Sequence, residues 1–89
     1  MGNQGADLTK ANLERADMRE VKACGAIFVH ANLAHADLRN ADLRWADFSY
    51  ANLRRAKLEG AKLKGTIFIG ADVSETILDG KIVNGSFVE

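Results

Sequence analysis

Ala31-Asn32-Leu33-Ala34-His35-Ala36-Asp37-Leu38-Arg39-Asn40-Ala41-Asp42-Leu43-Arg44-Trp45-Ala46-Asp47-Phe48-Ser49-Tyr50-Ala51-Asn52-Leu53 decides the fold, because one five-residue unit recurs through it without insertion or loss. Outward from this stretch the same phase holds along the chain. Large apolar residues stand at Leu8, Leu13, Met18, Phe28, Leu33, Leu38, Leu43, Phe48, Leu53, Leu58, Leu63 and Phe68, then at Val73, Leu78, Val83 and Val88, with Ala23 the only lapse. Ala stands two places before most of them, and Asp or Asn lies between at 7, 12, 17, 32, 37, 42, 47, 52 and 72.

The chain is rich in Ala, Leu, Arg and Lys and has no Pro, which by propensity alone reads as helix. The period excludes that. Five residues advance an α-helix by about 140° net per repeat, so the leucines would scatter around its circumference. A short extended segment fits instead, since residues two apart share a face. Ala and the large apolar residue then point inward, Asp or Asn points outward, and the last two residues turn a corner. Gly5, Gly25, Gly60, Gly65, Gly70, Gly80 and Gly85 all fall at the fifth position, as does Asn40. Glycine supplies the positive φ that the third residue of a type II turn demands, and Asn tolerates it next best.

The number of sides is legible too. Phe28, Phe48 and Phe68 are twenty residues apart, and so are Asn12, Asn32 and Asn52. A coil of four pentapeptides would stack them, giving an aromatic spine and a hydrogen-bonded asparagine ladder. At the lapse, Val21 stands where an inward Ala is the rule and compensates core volume for Ala23. These residues closely resemble the pentapeptide-repeat family, whose motif is Ala-(Asp/Asn)-Leu followed by two variable positions. The match is strong over residues 6 to 73 and degenerate to 88. The resemblance implies an all-β fold, a right-handed quadrilateral (four-sided) β-helix of about four coils with four pentapeptides per coil. One domain is expected, with a lead-in over 1–5 and the β-helix over 6–89, degenerate from about 74.

Composition narrows function by exclusion. Twelve basic residues balance twelve acidic ones, so bulk charge points neither to nucleic acid nor to an anionic membrane. No apolar run approaches the roughly 18 residues of a membrane span, and the first five residues lack the regions of a signal peptide. Cytoplasm is the expected compartment, as a lone Cys24 suits a reducing one. Cys24, His30 and His35 lack the paired spacing of a zinc site, and no Ser stands in recognisable relation to a His and an acid. The Asp residues belong to the repeat and face several ways, so their expected role is to hydrogen-bond the adjacent turn. Asp17 over Asp37 is the one unfavourable stack. No enzyme, metal or cofactor is expected.

Two surfaces stand out as candidates. Arg44, Trp45, Tyr50, Arg54 and Arg55 form a docking patch in the middle of the rod, with Trp45 open between Gly25 and Gly65 in its column. An ordinary solvated surface, with one Trp covering bare backbone, explains the same residues. At the other surface, outward positions turn apolar at Ile67, Ile69, Ile77, Ile82 and Phe87, while Lys81 and Ser86 replace inward Ala. That end is expected to form a homodimer or to pack on an absent neighbouring segment. The expected function is a non-catalytic structural or protein-interaction scaffold with an unidentified protein partner. The resemblance offers one alternative, the DNA-mimicking inhibitors of type II topoisomerase that confer quinolone resistance. A neutral, short chain argues against it.

Overall fold

The structure, a computed structural model, describes residues 5–88. Of the expected lead-in over 1–5, only Gly5 lies among them, and its N–H donates to the Gly25 carbonyl at 3.0 Å. From there to Val73 the chain is a repeat β-helix. Parallel bridges join residues twenty apart, from Asp7↔Ile27 through Asn32↔Asn52 to Asn52↔Asp72. Each rung uses both backbone groups: Ile27 N–H donates to Ala6 C=O at 2.8 Å, and Leu8 N–H donates to Ile27 C=O at 2.7 Å.

Corners repeat with equal regularity. Leu8 C=O accepts from Ala11 N–H at 3.0 Å, closing a four-residue turn, and the same bond recurs at Leu13, Leu33 and Leu43. The third residue of each turn has positive φ, near 60° even where it is Lys10, Arg15, His30 or Trp45. A left-handed conformation at ordinary residues disfavours each corner locally. The axial hydrogen bonds and the core impose it regardless.

Inward positions close the core as the period requires. Phe28, Leu33, Leu38, Leu43, Phe48, Leu53, Leu58 and Phe68 are fully buried, with Ala26, Ala31, Ala36, Ala41, Ala46 and Ala51 between them. Leu8, Leu13, Met18 and Leu63 face the same core but are half-buried, because they lie toward its two ends. The aromatic spine forms: Phe28 and Phe48 stack at 4.5 Å and 2°, Phe48 and Phe68 at 5.6 Å and 11°. Thr66 takes an inward Ala position, and its buried hydroxyl donates to Leu43 C=O at 2.7 Å. The asparagine ladder does not form between side chains. Each Asn Oδ1 instead accepts the N–H two residues on, as from Glu14, Ala34 and Arg54 at 3.0–3.2 Å.

The coil does not run on to 88. After a run of turns over 74–80 the chain reverses through an antiparallel hairpin, β1 (Ile82–Val83) and β2 (Ser86–Phe87), paired as Ile82↔Phe87 and Val83↔Ser86. Asn84 and Gly85 form its two-residue loop, and both have positive φ, 52° and 79°. That is the signature of a type I′ turn, whose twist matches the flanking strands. The hairpin shifts the inward phase by one residue. Val83 and Val88, central in the repeat, are 53% and 49% exposed. Ile82 and Phe87, expected to face outward at a sticky end, instead pack half-buried against the core. Lys81 and Ser86, expected inward, are exposed. The end is therefore folded over by the chain's own hairpin, and Gly85 C=O accepts from Phe68 N–H at 2.8 Å.

Candidate functional site

Outward Asp residues prove to be turn-builders. The Oδ1 of Asp7, Asp17, Asp37, Asp42, Asp47 and Asp72 each accepts the N–H two residues on, at 2.9–3.3 Å. Such Asx turns hold the corner that follows. Where that residue is Arg, a bidentate pair adds to the turn. Arg39 donates to Asp37 at 2.9 and 2.7 Å, and Arg44 to Asp42 at 2.8 and 2.7 Å. The Arg guanidiniums hold Asp17, Asp37 and Asp42 down to about 2. They also relieve the Asp17–Asp37 stack, because Arg19 sits 2.8 Å from Asp17 and 4.0 Å from Asp37.

These pairs change the reading of the docking patch. Arg44 is occupied by Asp42, while Arg54 and Arg55 converge on Glu75 at 3.2 and 2.9 Å. Lys57 and Lys62 stack on Asp37 and Asp42 through parallel bridges. The surface that counts as basic along the sequence is therefore largely neutralised in space. Sequence reading missed the partners because they lie two, twenty or twenty-one positions away.

The aromatic members of the patch are open and held in place. Trp45 and Tyr50 are 57% and 56% exposed. Trp45 lies over Gly65 on the next coil, where a methyl group would overlap its six-membered ring. Lys64 Nζ sits 5.9 Å from the Trp45 ring centroid, at cation–π range. Tyr50 lies over Gly70 in the same manner and stacks on His30 at 5.2 Å and 17°. The five patch residues thus form separate groups: Trp45 with Lys64, Tyr50 with His30, Arg44 with Asp42, and Arg54 with Arg55 on Glu75. Of the residues expected at the C-terminal interface, Ile67, Ile69 and Ile77 are exposed, and Ile69 packs on Gly85 of the hairpin.

Among the described residues no group of three or more His, Cys, Asp or Glu is placed to hold a metal ion. No helix among them is long and apolar enough to cross a membrane. A half-open cavity of about 440 Å³ lies where the hairpin meets the coil, lined by Ala61, Leu63, Lys64, Gly65 and Phe87.

Parallel stacking of short rungs, with glycine-seated side chains at the corners, defines a repeat β-helix. The sequence matches the Pentapeptide repeats family in eight copies, over residues 4–22, 26–65 and 41–80. The chain belongs to that family. Among solved structures it is similar to Rfr23, a pentapeptide repeat protein from the cyanobacterium Cyanothece 51142, with 31% identity and a TM-score of 0.64 over 83% of this chain. It is similar also to HetL from Nostoc sp. strain PCC 7120, described as involved in heterocyst differentiation regulation, with 33% identity and a TM-score of 0.51 over 96% of this chain. The chain spans 61% of the length of the first and 40% of the second. No curated protein sequence matches it.

Proposed function

We propose that this chain is a non-catalytic scaffold that binds another protein through the Trp45 and Tyr50 face. We further propose that its β-helix is a right-handed quadrilateral coil of about four turns, which the twenty-residue register supports. The observation that carries the functional reading is the seating of both exposed rings on glycines of the next coil. A large aromatic side chain already fixed in place gives up little conformational entropy on binding, which suits it to anchor an interface. The ionic groups around it are mostly engaged within the chain, so the face offers apolar area rather than net charge. Balanced charge gives the DNA-mimic alternative no support.

Capture of a partner by the immobilised full chain, compared with Trp45→Ala and Tyr50→Ala, tests the reading. Loss of a specific partner with both variants, each shown by its melting curve to be folded at the assay temperature, is the expected result. Equal retention by wild type and both variants overturns this face as the docking surface. Exposure of Ile67, Ile69 and Ile77 favours a second reading, a homodimer through that side, and a concentration-independent monomer mass by light scattering would exclude it. Cytoplasm is the compartment proposed, on the single cysteine alone.

A further inference from the structure

Among the described residues two sides of the last coil, 56–60 and 61–65, lack backbone partners above them, and the second opens onto a cavity. From Leu8 to Leu53 the N–H of each central residue and of the corner two places on donates to the coil above. Leu43 donates to Lys62 C=O and Trp45 to Lys64 C=O, while Ala41 C=O accepts from Lys62 N–H. One coil higher, the equivalent groups are Leu63 N–H, Gly65 N–H and Ala61 C=O. Among the described residues none of the three has a backbone partner. The reason is the hairpin. Phe28 and Phe48 donate nineteen residues on, to Asp47 and Ile67, but Phe68 donates to Gly85, seventeen residues on. The chain therefore leaves the coil register before it can cover 61–65. The 440 Å³ cavity opens at this position, with Leu63 on one wall and Phe87 on another.

The geometry points to a peptide-binding edge: an extended segment of a partner protein, of sequence acidic–apolar–acidic, adds in parallel to 61–65. The proposal deepens the scaffold reading and rests on it. Strand addition to an exposed edge draws affinity from main-chain bonds and specificity from alternate side chains. Three residues fit the open groups. The first exchanges bonds with Ala61 C=O and Leu63 N–H, as Lys62 does with Ala41 and Leu43 below it. The third accepts from Gly65 N–H, as Lys64 does from Trp45. Alternation then sets the side chains. The middle one enters the cavity between Leu63 and Phe87, whose volume lies in the range of small-ligand sites. The first and third stack over Lys62, which has Asp42 one rung below it, and Lys64, which lies 5.9 Å from the Trp45 ring; among the described residues neither has a carboxylate at ion-pair distance. Opposite charges one rung apart attract, so acids are favoured at both positions. No segment of this chain has two acidic residues two apart, which favours a partner protein over a second copy.

The test titrates the isotopically labelled full chain with the peptide acetyl-Thr-Asp-Leu-Glu-Thr-amide and follows backbone amides by NMR. In the free chain the amides of Leu63 and Gly65 exchange with solvent much faster than those of Leu43 and Trp45. The peptide shifts and protects both. A Lys-Leu-Lys counterpart binds about tenfold more weakly, the effect of two partly exposed ion pairs, and the double variant Lys62→Glu, Lys64→Glu reverses the preference. Equal binding of the two peptides, shifts centred elsewhere, or protection of Leu63 and Gly65 before peptide is added each overturn the proposal. Concentration-dependent shifts of the same amides without peptide overturn it in favour of a second copy. A chain that ignores the peptide yet loses a partner on Trp45→Ala overturns this edge and leaves the scaffold reading standing.

Discussion

Replacing Gly65 by Ala separates two costs that the structure places at one position. Gly65 has φ of +72°, and a methyl group there overlaps the ring of Trp45. Left-handed backbone costs an alanine about 1 kcal/mol relative to glycine. The overlap adds to this through loss of packing, because the methyl would push the exposed ring off its seat toward solvent rather than meet backbone. Trp45 is 57% exposed, so about 100 Å² of a residue of its size is covered. At about 25 cal/mol per Å², giving up half of that cover costs about 1 kcal/mol. Gly65→Ala is thus expected to destabilise by about 2 kcal/mol, lowering the melting temperature by about 8–16 °C in a chain of this length. Gly80 supplies the control, with φ of +78° and nothing within 4 Å of an added methyl. Its alanine variant should lose only the backbone part, about 1 kcal/mol.

Urea and thermal unfolding by circular dichroism measure both values, and fluorescence of Trp45, the single tryptophan, reports the ring directly. The difference between the two glycine variants should vanish when Trp45→Ala is introduced into each, as a double-mutant cycle requires. Equal losses for Gly65→Ala and Gly80→Ala, or a difference that persists without the indole, would refute the seating of Trp45 on Gly65.

Three further outcomes are expected. Phe48 is fully buried and stacked on both sides, so Phe48→Ala should cost about 3–5 kcal/mol and leave the chain largely unfolded at 37 °C by circular dichroism, whereas Phe48→Leu should keep it folded. Ile82→Ala should destabilise clearly while Val83→Ala stays within about 0.5 kcal/mol, and the opposite order would mean that the five-residue phase continues through the C-terminal segment. Because Arg19, Arg39 and Arg44 hold Asp17, Asp37 and Asp42 down to about 2, the folded state binds fewer protons there than the unfolded chain. Their contribution is complete above the ordinary carboxylate range and is lost as pH falls toward 2, so urea midpoints that stay level from pH 5 to 2 would contradict the Asp–Arg pairs.

The sequence carries the coil because its period overrides both its helical propensity and the local cost of its corners. The period excludes helix, the alternation of Ala and Leu sets the inward face, and three phenylalanines twenty apart fix the register that the bridges follow. The hairpin was also written there, as Asn84-Gly85 between Ile82-Val83 and Ser86-Phe87, the strongest short-range hairpin signal. It was hidden because Gly85 also falls on the corner phase, so no insertion marks where the coil stops. The candidate patch was half legible. Trp45 above Gly65 follows from a shift of twenty, and so does Arg55 beside Glu75, but charge counted along the chain cannot see pairs made across coils.

Both candidate surfaces are coupled to the packing of the coil. Trp45 covers Gly65, so removing it alters the fold's own packing as well as any interface it anchors. A binding defect at Trp45 therefore has meaning only beside a measured stability. Lys62 and Lys64 are exposed and form no ion pair among the described residues, but Lys62 stacks on Asp42 and Lys64 lies over the Trp45 ring, so their charge reversal too is read beside a measured stability. Among the described residues the amides of Leu63 and Gly65 have no partner in the hydrogen bonding that holds the coil together. An exposed edge left open by a chain that folds its own hairpin close by is a liability unless something occupies it.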